Sequence, residues 1–204
     1  MDVTTPTESL RERKKQDTRR GLRQAALDLA LERGPDQVTV DDIAEAAGVS
    51  PRTFFNYFAS KEDALVDHTA NVAAELRAAI LARPEGEPPL ATLHHALAGS
   101  HLIRRAHAHR ERTLARQRLI HAHSSLLARQ LSQAAALEAA ISEAMAERLG
   151  LDVASDPTPQ LLGALAGSVL RVSLRRWIRG EDRLDTLVDE VFTILATHLS
   201  GTIP

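Results

Sequence analysis

Residues 38–63 of the chain read VTVDDIAEAAGVSPRTFFNYFASKED and contain three helix starts in close succession. Its first helix start is at Thr39, a residue type that serves well as an N-cap. Asp42 stands three residues further on, where an acid can return a hydrogen bond to the cap. Gly48 then provides a stop, because glycine is the residue most often found just past a helix end. The spacing therefore predicts a short helix over about residues 40–47.

A second helix start follows Gly48 at once. Ser50 is suited to the N-cap and Pro51 to the first helical position, where its missing N–H costs nothing. This helix is predicted to reach about Tyr57, and Ser60 opens a third helix in the same manner. Two short helices joined by a turn of about three residues are typical of a helix-turn-helix unit.

Aromatic side chains crowd the second of these helices. Phe54 and Phe58 are four residues apart and therefore share one helix face, with Phe55 beside them. We expect all three phenylalanines to belong to the core of a small domain. They would hold the helix from behind and leave its other face to solvent.

The other face is polar and suits the major groove of DNA. Arg52 can donate two hydrogen bonds to guanine, Asn56 can pair with adenine, and Thr53 can touch a thymine methyl group. Tyr57 and Lys61 lie further along and suit phosphates, which fix register rather than sequence. The alternative for any one of these residues is an ordinary solvated side chain.

Phosphate contacts are also expected outside this helix. The free amides that follow Thr39 and Ser50 can bind phosphate oxygens. Residues 11–23 carry seven Arg and Lys side chains against two acids, a local charge of 7 − 2 = +5 in a chain of net charge −2. This concentration favours a DNA-binding segment that includes Arg19, although a solvated basic tail would have the same composition.

The rest of the chain predicts an all-α protein of about nine helices. Gly34-Pro35 ends a first helix over about residues 17–33, and prolines at 84, 88 and 89 mark a clear break. The predicted division is a disordered basic arm over 1–16, a three-helix DNA-binding domain over 17–63, and a larger helical domain over 64–204. The helix that starts at Ser60 is a shared strut between these domains.

Composition excludes several classes of protein. The chain has no cysteine, so it can form no disulfide and no thiolate metal site. Its N-terminus has no apolar segment typical of a signal peptide, and its longest apolar run, Leu161–Leu170, is about half the ~20 residues of a membrane-spanning helix. We expect a cytoplasmic protein without a cofactor.

No catalytic motif is present, which argues against an enzyme. The chain has no P-loop, no GxSxG, no HExxH and no glycine-rich phosphate loop. Seven histidines crowd residues 94–123, but those at 107/109 and 121/123 are two apart and point to different sides of a helix. No metal site is therefore predicted. The remaining rival is a DNA-binding protein without a ligand, controlled by a protein partner or acting as an activator.

The motifs of residues 17–67 resemble the TetR family of bacterial regulators. The resembling segments are TRRGLRQAALDLALERG (18–34), VTVDDIAEAAGVS (38–50) and PRTFFNYFASKEDAL (51–65). The resemblance implies a homodimeric, ligand-released repressor that binds a palindromic operator. It also implies phosphate contacts from Thr39, Tyr57 and Lys61 and base contacts from Arg52 and Thr53. Many relatives have tyrosine where this chain has Phe55, so one phosphate contact is missing.

The C-terminal half resembles the mycofactocin-associated branch of that family. The segments are LARQLSQAAALEAAISEAMAERLG (127–150) and LRVSLRRWI (170–178). This resemblance implies a lipophilic or acyl-CoA effector. Candidate pocket residues are His101, Leu127, Leu131, Glu138, Arg171 and Trp177, although Glu138 and Arg171 are equally suited to the surface or to an interface salt bridge.

Two apolar helix stripes near the C-terminus are candidates for a dimer interface. Taken alone, such stripes favour an intramolecular core, and the family resemblance reverses that preference. The predicted interface residues are Leu161, Leu165, Val169, Leu184, Val188, Val191 and Leu195.

Overall fold

A computed structural model describes residues 10–66 and 70–199, and within them it contains helices and no strand. These residues form two compact units. The N-terminal unit contains residues 10–66 and 115–129, and the C-terminal unit contains residues 70–114 and 130–199. The all-α architecture predicted from the sequence is confirmed.

The N-terminal unit is built on four helices and one helical turn. They are α1 (Leu10–Arg33), a 3-10 turn (Pro35–Gln37), α2 (Val40–Ala46), α3 (Pro51–Phe55) and α4 (Lys61–Val66). The end of α8 (Arg110–Ala122) and the start of α9 (Ser124–Leu149) complete the unit. The three predicted helix starts are confirmed, because Thr39, Ser50 and Ser60 all accept a backbone N–H with their hydroxyls.

Two chain segments contribute to the core of the N-terminal unit. The first supplies Leu22, Ala26, Ile43, Phe54, Phe58 and Leu65, among others. The second supplies Ile120 and Leu126, each 1% exposed. The division predicted from the sequence placed 115–129 wholly in the C-terminal domain. Periodicity shows that a helix has an apolar face but not which core that face enters.

Helix α1 begins at Leu10, so the prediction of a disordered arm over 1–16 is wrong for residues 10–16. Residues 1–9 of that arm lie outside the described residues. Arg, Lys, Glu and Gln are good helix formers, and no glycine or proline lies between residues 7 and 20. The polar composition of this segment predicts exposure, which the structure shows, rather than the absence of a helix.

The C-terminal unit consists of the remaining helices. They are α5 (Ala70–Leu81), α6 (Pro89–Ala98), α7 (His101–Ala108), the start of α8, most of α9, α10 (Thr158–Ile178) and α11 (Leu184–Leu199). The predicted helix over 90–109 is divided into α6 and α7 at Gly99 and Ser100, a poor helix-forming pair. The strut predicted over 60–81 is described as α4 and α5, with 67–69 outside the described residues.

The largest side chain of the C-terminal core is Trp177, which is fully buried. The same core includes residues of α5, α6, α7, α9, α10 and α11, among them Leu76, Leu93, Ile103, Met145, Leu162 and Phe192. Helices α9 and α10 approach so closely that a side chain at Gly163 or Gly167 would overlap Glu138.

Three residues of the predicted dimer interface belong to this core instead. Val169, Leu184 and Val188 are at most 3% exposed and pack within the chain, so they cannot face a partner. Val191 and Leu195 are half-buried against the same core. The prediction was wrong here because an apolar stripe does not reveal whether its partner is the same chain or a second copy.

Candidate nucleic-acid interface

Helix α3 is the central element of the candidate interface. The Ser50 hydroxyl accepts the backbone N–H of Thr53 at 3.1 Å, and Pro51 occupies the first turn. Phe54 and Phe58 are 0% and 3% exposed, with ring centroids 5.6 Å apart. This aromatic pair fixes α3 from behind, as its spacing predicts.

The opposite side of this segment presents polar groups to solvent. The side chains of Arg52 and Asn56 are exposed, at the four-residue spacing that places them on one face. Thr53 is half-buried, and its hydroxyl is hydrogen-bonded to that of Ser50 at 2.9 Å. Its methyl group therefore remains for an apolar contact. A guanidinium and an amide side by side provide the donors and acceptor that read guanine and adenine.

Phe55 does not belong to the core, and that prediction was wrong. The residue is 57% exposed, although its ring meets that of Phe54 edge-on at 5.5 Å. One residue along a helix is a rotation of about 100°, which takes the side chain away from the face shared by Phe54 and Phe58. Phe55 is thus an exposed aromatic group beside the polar face.

The start of helix α2 is closed by reciprocal hydrogen bonds. The Thr39 hydroxyl accepts the backbone N–H of Asp42 at 3.1 Å, and the Asp42 carboxylate accepts the backbone N–H of Thr39 at 2.8 Å. Hydrogen bonds from the side chain and then the backbone of Thr39 hold the pKa of Asp42 below its usual value. An ionised acid also suits the positive end of the helix dipole. This start is therefore rigidly formed.

Lys61 has a structural role that the sequence did not reveal. Its ammonium group donates hydrogen bonds to the carbonyl oxygens of Pro35 and Val38, both at 2.9 Å. These bonds tie the start of α4 to the segment between α1 and α2. An ammonium has three protons, so one donor remains for a phosphate.

Arg19 and Tyr57 flank the aromatic pair. The Arg19 guanidinium lies over the Phe58 ring, 4.8 Å from its centroid. This cation–π contact joins α1 to the residues that follow α3. Tyr57 is half-buried against the same core. Both residues therefore have structural contacts beside any contact with DNA.

The structure gives partners or surroundings for several of the predicted effector-pocket residues. Glu138 and Arg171 form an ion pair with each other. His101 is paired with Glu75, Leu131 is 58% exposed, and Leu127 packs on the core of the N-terminal unit. The fully buried Trp177 has the guanidinium of Arg110 over its ring, 5.5 Å from the centroid, which the sequence did not predict.

Among the side chains that the structure describes, which lie within 10–66 and 70–199 except at 12, 70, 71 and 105–108, no three or more His, Asp or Glu are grouped so as to hold a metal ion. None of the helices described is both long and apolar enough to cross a bilayer.

Known proteins match this chain in both halves. Residues 22–67 match the family described as bacterial regulatory proteins of the tetR family, and residues 87–200 match the MftR C-terminal domain. The HTH-type transcriptional regulator TcmR of Streptomyces glaucescens is 35% identical over 190 residues, covering 87% of this chain and 81% of that protein.

Solved structures share the fold. A TetR-family regulator from Syntrophomonas wolfei is 19% identical with a TM-score of 0.59, covering 93% of this chain and 98% of that one. The fatty acid degradation regulator FadR from Bacillus halodurans is also 19% identical, with a TM-score of 0.54 and coverage of 87% and 94%.

The helix-turn-helix unit and its exposed polar face define a DNA-binding protein. The chain belongs to the TetR family, and its C-terminal half belongs to the MftR-type branch. It is a transcriptional regulator and not an enzyme, as the sequence predicts.

Proposed function

We propose that this protein is a repressor that binds a palindromic operator as a homodimer and leaves the operator when its C-terminal domain binds a small molecule. The observation that supports operator reading is the pair Arg52 and Asn56, exposed on a short helix whose other side is held by buried Phe54. Such a helix reads base edges with its side chains while the unit around it contacts phosphates. The activity belongs to the bacterial cytoplasm, on the nucleoid when DNA is bound.

A dimer is required by the geometry of DNA. One short helix reads too few bases, and two recognition helices must stand ~34–36 Å apart to enter successive major grooves. The surface we assign to the partner is one face of α10, where Leu161 and Val172 are 61% and 44% exposed. Leu165 and Ser168 lie between them on that face, and Ile194 of α11 is 47% exposed.

The dimer surface has a direct test. Val172→Glu should give monomers in sedimentation experiments at micromolar concentration, because a charge would be buried against the partner. Arg179→Glu, an exposed substitution near the end of the same helix, is the control and should leave the dimer intact. A Val172→Glu dimer of unchanged affinity would remove this face from the interface.

We infer that the effector is a lipophilic small molecule, and an acyl-CoA is the first candidate. The support is the match of residues 87–200 to the MftR C-terminal domain, the branch for which the sequence resemblance implies such a ligand. A ligand releases the operator only by its difference in affinity for the two forms of the protein, typically ~1–3 kcal/mol per coupling.

The experiment is a gel shift on DNA that flanks the gene of this protein. The full chain should retard a discrete fragment in the presence of excess competitor DNA. Acyl-CoAs of increasing chain length should release that fragment, whereas free CoA should not. Retention of the fragment with every acyl-CoA would refute the effector, and failure to select any fragment would refute the regulator itself.

A further inference from the structure

We propose that the first two turns of α1 form a second DNA-contacting surface, which binds phosphates outside the reach of helix α3. This surface, the basic extension, comprises Arg11, Arg13, Lys14 and Lys15. The inference rests on the proposed function, because it adds a second DNA contact to the same N-terminal unit. It concerns residues that precede 22, where the match to the family begins.

The basic extension is a solvent-facing surface of high charge density. All four side chains are exposed, and they lie within five consecutive residues. Arg13 is two residues from both Arg11 and Lys15 and therefore points to another side of the helix, so three of the four cations can face one duplex. Residues 11–16 read RERKKQ and contain no apolar side chain, so they have nothing to bury against a protein core. The four cations are therefore not exposed merely because an apolar side of the same segment packs against a core.

The position of these cations is unfavourable for the free helix. The N-terminus of a helix carries a partial positive charge, and basic residues in the first turns oppose it. A local choice that opposes the helix dipole is expected at functional sites. DNA phosphates would reverse the penalty, because they bring negative charge to the end of the helix where it is stabilising.

The basic extension is held in a fixed position relative to helix α3. Arg11, Lys15 and Arg19 are spaced by four, so they follow one another along one side of α1. At the end of this row, the Arg19 guanidinium lies 4.8 Å from the centroid of the Phe58 ring, which packs behind α3. Further along α1, Leu22 and Ala26 are fully buried in the same core. The position of the row is thus fixed relative to α3.

The reach of this row fits a phosphate backbone. A helix rises 1.5 Å per residue, so Arg11 stands about 12 Å beyond Arg19 along the axis. Each strand of a duplex carries one phosphate charge per about 3.4 Å of helix axis, so this length spans several phosphates. The partner is therefore the DNA that flanks the bases read by α3. A lipid surface would demand an apolar side on the extension, which RERKKQ lacks.

The salt dependence of binding tests this assignment. The full chain is compared with a variant in which all four residues of the basic extension are changed to glutamine, a residue of similar helix propensity. The probe is an operator duplex selected from a randomised library, with a scrambled duplex beside it. Each phosphate contact contributes about −0.9 to the slope of log K against log salt, and the proposed dimer brings two extensions, each with three cations on the DNA side, to one operator. The variant slope should therefore be shallower by up to about 5.4. The preference for operator over scrambled DNA should remain.

A matched pair of single substitutions separates contact from overall charge. Lys14→Gln and Arg33→Gln each remove one exposed cation from the same helix, near opposite ends. Lys14→Gln should weaken binding and flatten the slope, whereas Arg33→Gln should change neither appreciably. Circular dichroism of each variant confirms that the helices persist.

The outcomes distinguish this inference from the proposed function. If the full chain selects an operator but the fourfold variant keeps the same slope and affinity, the extension is not a contact and the regulator stands. Equal effects of Lys14→Gln and Arg33→Gln would also refute the contact, because net charge alone would explain them. If the full chain prefers no duplex, both proposals fail.

Discussion

The carboxylate of Asp63 and the guanidinium of Arg129, 66 positions apart in the sequence, form an ion pair. The Asp63 side chain is 11% exposed and that of Arg129 is 43% exposed. The pair joins helix α4 to the start of α9 within the N-terminal unit, beside the buried side chain of Leu126. The stability of the DNA-binding unit therefore depends on a residue far outside the helix-turn-helix.

The first prediction concerns this ion pair. Arg129→Met should lower the free energy of unfolding by about 1–2 kcal/mol, because a largely buried carboxylate loses its partner while Arg129 itself is partly solvated. The double variant with Asp63→Asn should recover part of the loss, since the uncompensated charge is gone. Chemical denaturation followed by circular dichroism measures both. Arg118→Met, at an exposed arginine of the same unit, is the control; an equal loss there would argue against a specific pair.

Arg52 should determine base preference. Arg52→Ala should reduce discrimination at one base position by about 1–3 kcal/mol, the usual contribution of a good bidentate contact. Asn56→Ala should relax a different position, because the two side chains stand one helical turn apart. Binding to libraries randomised at each position measures this. A loss of affinity spread evenly over all sequences would assign Arg52 to phosphates instead.

Lys61 should affect both stability and DNA binding. Lys61→Ala removes two hydrogen bonds to the carbonyl oxygens of Pro35 and Val38. A hydrogen bond from a charged donor contributes about 1.5–3 kcal/mol, so the free energy of unfolding should fall. The same change should flatten the salt dependence of binding by about one phosphate contact. Denaturation and salt titration report the two effects separately. A destabilised variant with an unchanged salt slope would leave Lys61 with its structural role alone.

Two glycines of α10 should respond differently to alanine. At Gly163 the added carbon would overlap the backbone carbonyl oxygen of Glu138 and the Ser142 side chain, whereas at Gly167 it would overlap only the flexible Glu138 side chain. We therefore expect Gly163→Ala to cost about 1–3 kcal/mol and Gly167→Ala less. The fluorescence of Trp177, the single tryptophan, follows unfolding of the C-terminal unit.

Gly21 provides the control for these substitutions. It also lies inside a helix, but an added carbon there would meet nothing within 4 Å. Gly21→Ala should therefore stabilise the chain by about 0.5–1 kcal/mol through its higher helix propensity, as measured by circular dichroism. If Gly163→Ala stabilised the protein as Gly21→Ala does, α9 and α10 would not be in close contact.

The helix-turn-helix could be predicted because its information is local. A hydroxyl at Thr39 or Ser50 caps the helix that follows it, and the spacing of Phe54 and Phe58 identifies the buried face. Phe55 could not be assigned in the same way, because its side chain lies between the buried and exposed faces. A short helix leaves such a position to its surroundings.

The all-helical class, the starts of helices α2, α3 and α4 and the burial of Phe54 and Phe58 could be read from the sequence, because each depends on neighbours within about one turn. The packing of distant segments decided that Arg129 pairs with Asp63 and that Lys61 donates hydrogen bonds to Pro35 and Val38. It also decided that Val169 is buried while Leu161 is exposed on the same helix. A helix pattern states that a face is apolar or charged, and only the packing of distant segments determines what that face meets.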